Sequence, residues 1–194
     1  MGRRWNTVGL TVLGACAAPL LMTGCVMQST YNSMLQQQEA LEASLRSEIN
    51  ADQVKIEQLE NGIRVRMSDS LLYRSGAVEL HPNGMAALNK VAGQLANMAT
   101  QGNQIDVVGN TDNVPIGPEL AGRYPTNWEL AGARASIVVR YLQAQGVNPA
   151  ALEAISNGEY HPVASNDTAA GRAQNRRTDL LIRPTGTGSM SSGS

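Results

Sequence analysis

The stretch "IDVVGNTDN", Ile105 to Asn113, sets a short apolar run directly against a polar Thr-Asp-Asn turn. Such a run, closed by turn residues, reads as a buried strand. On its C-terminal side "TNWELAGARASIVVRYLQAQG", Thr126 to Gly146, reads as a helix, opened by Thr126 with Glu129 three residues on and closed by Gly146. On its N-terminal side "HPNGMAALNKVAGQLANMA", His81 to Ala99, puts Met85, Leu88, Val91, Ala92, Leu95 and Met98 at helical spacing, with Pro82 suited to the first turn. Further out, "IRVRM" alternates apolar and basic residues as a half-buried strand does. "SLLYRSGAVEL" follows with a glycine turn, "LEAISNG" and "TDLLIRP" are strand candidates, and "GRAQNRR" is a short helix or turn. Strands alternating with helices predict an α/β fold, a sheet with helices packed on it, as one domain over residues 63–184.

The ends of the chain read differently. "MGRR" followed by the uncharged, mostly apolar "TVGLTVLGACAAPLLM" and then "TGC" has the layout of a targeting segment. It resembles the signal peptide and lipobox of bacterial lipoproteins, which implies cleavage after residue 24 and acylation of Cys25. "LGAC" ending at Cys16 is a competing lipobox, and an uncleaved membrane anchor of about 20 residues is a further alternative. Residues 25–62 are rich in Gln, Glu, Ala and Leu, with neither proline nor glycine before Gly62. The composition predicts a long helix from about Tyr31 to Asn61, roughly 45 Å in length. Leu45, Ile49, Ile56, Leu59 and Ile63 keep four-and-three spacing if Asp52 is counted, so the helix is either a spacer or a short coiled coil able to form a homo-oligomer. The Gly/Ser-rich tail, residues 185–194, is expected to be disordered.

Composition excludes several classes. Of 194 residues 42% are hydrophobic, which supports a core, although Phe is absent. A net charge of -1 with scattered basic residues gives no reason to propose a nucleic-acid partner. The only two cysteines lie in the first 25 residues, so neither a disulfide framework nor a cysteine metal site is expected. The two histidines, His81 and His161, each precede a proline and are explained by helix entry and turn. No zinc motif, nucleophile elbow or phosphate loop is visible, and neither an enzyme nor a cofactor is expected.

One charge stands out. At about 100° per residue, Leu130, Ile137, Val138 and Tyr141 form an apolar stripe with Arg134 in its middle and Asn127 near the same line. An arginine so placed needs a partner. Asp112 offers two possibilities: a structural ion pair, or a cleft in which Asp112 and Arg134 present opposite charges to a ligand bearing an ammonium and a carboxylate.

"VVGNTDN", "NWELAGARA" and "GRAQNRR", in that order with a strand between the last two, resemble the OmpA-like peptidoglycan-binding domain family, which includes peptidoglycan-associated lipoprotein and the periplasmic part of the flagellar stator B subunit. The resemblance covers about Ile63 to Pro184. It implies a mixed α/β fold that grips the meso-diaminopimelate of the peptidoglycan stem peptide without covalent chemistry. The family's main contacts fall on Asp112 and Arg134, with Asn127 and Leu130 shaping the pocket and the loop from Tyr73 to Gly76 forming its opposite wall. Asn110 replaces a common His and Ala131 a common Ser, and Arg176 and Arg177 are read chiefly as structural. "VPIGPELAGRYPTNW" is closest to the stator type, yet Trp5 to Gly24 holds no ionisable Asp, Glu, Lys or Arg for conduction. The resulting expectation is an outer-membrane lipoprotein, held by an acyl anchor on the periplasmic face and tethered to the wall. A non-conducting, wall-anchoring subunit of a membrane complex is the alternative.

Overall fold

The computed structural model describes residues 22–185 apart from Ser75, and for residues 22–30 the backbone path only. The signal-peptide expectation for residues 1–21 and nearly all of the disordered-tail expectation lie outside these residues. The chain divides into two units, Met1–Ser33 and Met34–Ser194. Among the described residues the first unit holds the start of helix α1 (Met22–Ser44). No helix among the described residues is long and apolar enough to cross a membrane.

The second unit is a five-stranded mixed sheet with helices packed on it. Strands β1 (Val54–Leu59), β2 (Gly62–Ser68), β3 (Asn103–Asn110), β4 (Leu152–Gly158) and β5 (Arg177–Pro184) lie in the order β1-β2-β5-β3-β4. All neighbours are antiparallel except β3 and β4, which are parallel and joined through a helical crossover. The strands foreseen from alternation and apolar runs are all present. Helix α4 (Pro82–Thr100) starts with His81 as N-cap, its Nδ1 accepting from the Asn83 N–H, and buries Leu88, Val91, Ala92, Leu95 and Met98. Helix α6 (Asn127–Ala144), which follows the short α5 (Pro118–Ala121), carries the expected capping box of Thr126 and Glu129. It comes so close to β3 that a Cβ on Gly109 would lie 2.2 Å from the Ala131 carbonyl oxygen. A glycine is required there by contact, and it sets the height of α6 above the sheet.

The helix expected to run to Asn61 does not. After α1 and the short α2 (Arg46–Asn50) the chain turns through Asp52, whose φ is +55°, and enters β1, which pairs with β2 from Val54↔Met67 to Leu59↔Gly62. Helix propensity is a weak preference, and partnership with β2 overrides it. The local signals were the alternation of Val54, Lys55, Ile56 and Glu57 and the Gly62 that follows the two-residue Glu60-Asn61 turn. The heptad-like spacing has the same origin. Leu45, Val54 and Ile63 are buried in one core with Ile49 and Ile56 packed against it, reached from α2, its N-cap and two strands of a single chain. Leu41 and Leu45 are fully buried, so the compact unit begins well before Ile63.

Candidate functional site

Ser68, Arg177, Asn110 and Gly158 are cross-strand neighbours in that order, a row across one end of the sheet. Immediately past this row stand Asp69, Arg176, Thr111 with Asp112, and Glu159. Above them α6 presents Asn127, Leu130 and Arg134 on its buried face. Local chemistry explains each placement. Ser68 caps the short helix α3 (Asp69–Leu72) by accepting from the Leu71 N–H, which puts Asp69 in its first turn. Asp112 Oδ1 accepts from the Val114 N–H at 3.1 Å, an Asx turn that fixes the loop after β3.

Arg134 is buried, as its position on the apolar stripe foretold, but its partner is Asp69. Nη1 donates to Asp69 Oδ2 at 2.5 Å, Nε and Nη2 donate to the Ala77 carbonyl, and the guanidinium lies 5.0 Å from the centre of the Tyr73 ring. Asp112 instead accepts from Arg176 Nη1 at 2.6 Å. The structural ion pair entertained between Asp112 and Arg134 is therefore replaced by two others. The four charges form one cluster, because Asp112, Arg134 and Arg176 all act electrostatically on Asp69. Burial pushes the Asp69 carboxyl up to about 6, against the pull of Arg134. Among the described residues its Oδ1 has no hydrogen-bond partner.

Tyr73 is not an open wall. It is buried, its hydroxyl bonded to Thr178 Oγ1 at 2.9 Å and to the Arg134 carbonyl, so it forms the floor under Arg134. Burial pushes its phenol upward. Asn127 Nδ2 donates to the Val114 carbonyl and to Glu159, clamping the loop after β3 to the turn after β4. Leu130 is buried beside it. Asn110, where a His is common, accepts from Asn157 and Arg177. Arg177 is a structural group, bonded to Asp179, Asn175, Asn110 and His161. Arg176 is more exposed, its side chain 43% accessible, and it pairs with Asp112.

Sequence reasoning missed Asp69 and did not pair Arg176 with Asp112. The available signal for Asp69 was an acid directly after the β2 strand, the same position relative to β2 that Asp112 nearly occupies relative to β3. Among the described residues no group of His, Cys, Asp and Glu could hold a metal ion. The arrangement is a neutral pair of acids and pair of arginines, suited to exchanging partners with a zwitterion.

The sequence pattern of the OmpA family matches residues 72–176. The chain is similar to the probable lipoprotein YiaD of Escherichia coli, 30% identical over 74% of this chain and 61% of that one. It is 36% identical to the peptidoglycan-associated lipoprotein of Pseudomonas putida over 60% of this chain and 64% of that one. A solved structure, the cell wall anchor of the T6SS from Pseudomonas aeruginosa, superposes with a TM-score of 0.66 at 30% identity, covering 74% of this chain and 96% of the other. The chain spans between half and just under two thirds of the length of the curated relatives it matches first.

Proposed function

The chain belongs to the OmpA family, and from that premise we propose that it binds peptidoglycan non-covalently and tethers a membrane to it. The ligand is the meso-diaminopimelate of the stem peptide. Its ammonium displaces the half-exposed Arg176 from the buried Asp112 carboxylate and takes over its pairing, so the buried charge is never left without a cation. Its carboxylate accepts from the released Arg176 and from Arg134, whose planar fork suits a carboxylate. Asn127 and Leu130 hold the walls, and Tyr73 holds Arg134 from below. The observation that carries this reading is the cluster of four charges brought by four separate elements past one row of strand ends.

Residues 25–33 then lead from an acylated Cys25 in the outer membrane, on its periplasmic face, to the wall-binding unit. The role is one of binding, with no catalytic step. The likeness to the cell wall anchor of the T6SS supports a second reading, in which the same tether serves a larger membrane complex.

Retention on purified sacculi of the chain from Met34 onward tests the ligand. Wild type is expected to be retained and released by free diaminopimelate, and Asp112→Ala to pass through. Wild-type retention of that variant would sink the assignment. Labelling with an alkynyl fatty acid tests the anchor: Cys25→Ser is expected to lose the label, and loss on Cys16→Ser instead would move the anchor there.

A further inference from the structure

Beyond the end of the edge strand β4 lies a feature the charged cluster does not use. Trp128 and Tyr160 stack with ring centroids 5.3 Å apart and 26° between planes, yet they are 45% and 62% exposed. Large aromatic surface in water is unfavourable, and a pair held rigidly at a site rim is a candidate contact surface. This pair is held. The indole is seated on Gly158, where a Cβ would come within 3.3 Å of Trp128 Cδ2, and the backbone there has a φ of +54°. Ser156 Oγ donates to the Trp128 carbonyl, and the Tyr160 N–H donates to the Asn157 carbonyl.

The same turn is bonded into the charged site. The Thr111 N–H donates to the Gly158 carbonyl, and Asn127 Nδ2 donates to Glu159. The rings are therefore a continuation of the site, one strand further along the row of strand ends. Among the described residues neither the Trp128 indole N–H nor the Tyr160 hydroxyl has a hydrogen-bond partner. An aromatic face flanked by free donors suits one ligand chemistry well. A pyranose ring lays its C–H face on an aromatic ring and turns its hydroxyl and amide groups to donors at the ring's edge.

We propose that the Trp128–Tyr160 pair is a sugar subsite that takes an N-acetylated pyranose of the glycan strand while the charged cluster holds the stem peptide. This rests on the peptidoglycan reading above and deepens it. The dimensions agree. The ends of β5 and β3 carry Arg176 and Asp112, and the rings stand past β4, so about 5–10 Å separates the two. Two amino-acid residues and a lactyl ether join diaminopimelate to muramic acid, and two extended residues span about 7 Å.

Calorimetric titration of the full chain in detergent separates the possibilities, with the free tripeptide L-Ala-γ-D-Glu-meso-diaminopimelate and the same tripeptide linked to N-acetylmuramic acid as probes. Wild type is expected to bind the muramyl form about tenfold more tightly. Tyr160→Ala and, independently, Trp128→Ala are expected to abolish that increment and leave the free tripeptide's affinity unchanged, with Tyr160→Phe retaining most of it. Equal affinity of wild type for the two probes overturns the sugar subsite alone, and failure to bind either probe overturns the peptidoglycan reading beneath it. An increment that survives in both alanine variants, with a changed sedimentation coefficient, overturns the proposal in favour of contact between copies of the chain.

Discussion

Asp69 sets the charge balance beneath the proposed ligand, since it occupies Arg134 and feels Asp112 and Arg176 as well. Its carboxyl is raised by burial from 3.8 to about 6, so between these values the folded chain keeps a proton that the unfolded chain has released. Stability from this group is accordingly greatest at the acid side and falls as pH rises through 6. Urea unfolding is expected to show wild type losing stability relative to Asp69→Asn between pH 4 and pH 6.5. A difference that is flat, or that grows in wild type's favour, would show that Arg134 outweighs burial. At the same scale, Arg176→Ala is expected to cost about 1–3 kcal/mol in urea unfolding, because it takes the cation from the buried Asp112 carboxylate. Its effect on retention by sacculi is expected to be smaller than that of Asp112→Ala, since Arg134 remains to meet the carboxylate.

Helix α6 is the element that makes the site, carrying Asn127, Leu130 and Arg134 on one face and Trp128 at its start. Its capping box was legible from Thr126 and Glu129 because caps are local in sequence, and Thr126→Ala is expected to cost about 1 kcal/mol in urea unfolding. Its height above the sheet was not legible, because it is set by contact between Gly109 and Ala131, which lie on different elements. Gly109→Ala drives a methyl into the Ala131 carbonyl and is expected to cost about 2–4 kcal/mol and to lower sacculus retention even where the protein is folded. Strand β1 teaches the opposite lesson. Its residues have a helical composition and an apparent heptad, and a strand-strand register with residues 62–67 decides their conformation.

The whole folding unit extends from Met34, a boundary with direct consequences for any fragment. A chain cut before Gly62 loses β1, leaves β2 as a bare edge, and forfeits the burial of Leu41 and Leu45, about 3–6 kcal/mol together. Against a total stability of about 5–15 kcal/mol, such a fragment is expected to aggregate or melt far earlier than one beginning at Met34, by circular dichroism and size-exclusion chromatography. The sequence by itself determined the alternation of strands and helices from Ile63 onward, the caps of α4 and α6, and the anomaly of an arginine on an apolar stripe. These are periodic or local features, written within a few turns or a few strand residues. Only the tertiary structure decided that Arg134 answers Asp69, 65 positions away, and that Asp112 answers Arg176, 64 positions away. It also decided that Tyr73 lies under the site and that the aromatic pair continues it. Charges and rings that meet through space after folding leave no period in the chain, so their partners are set by how the strand ends line up.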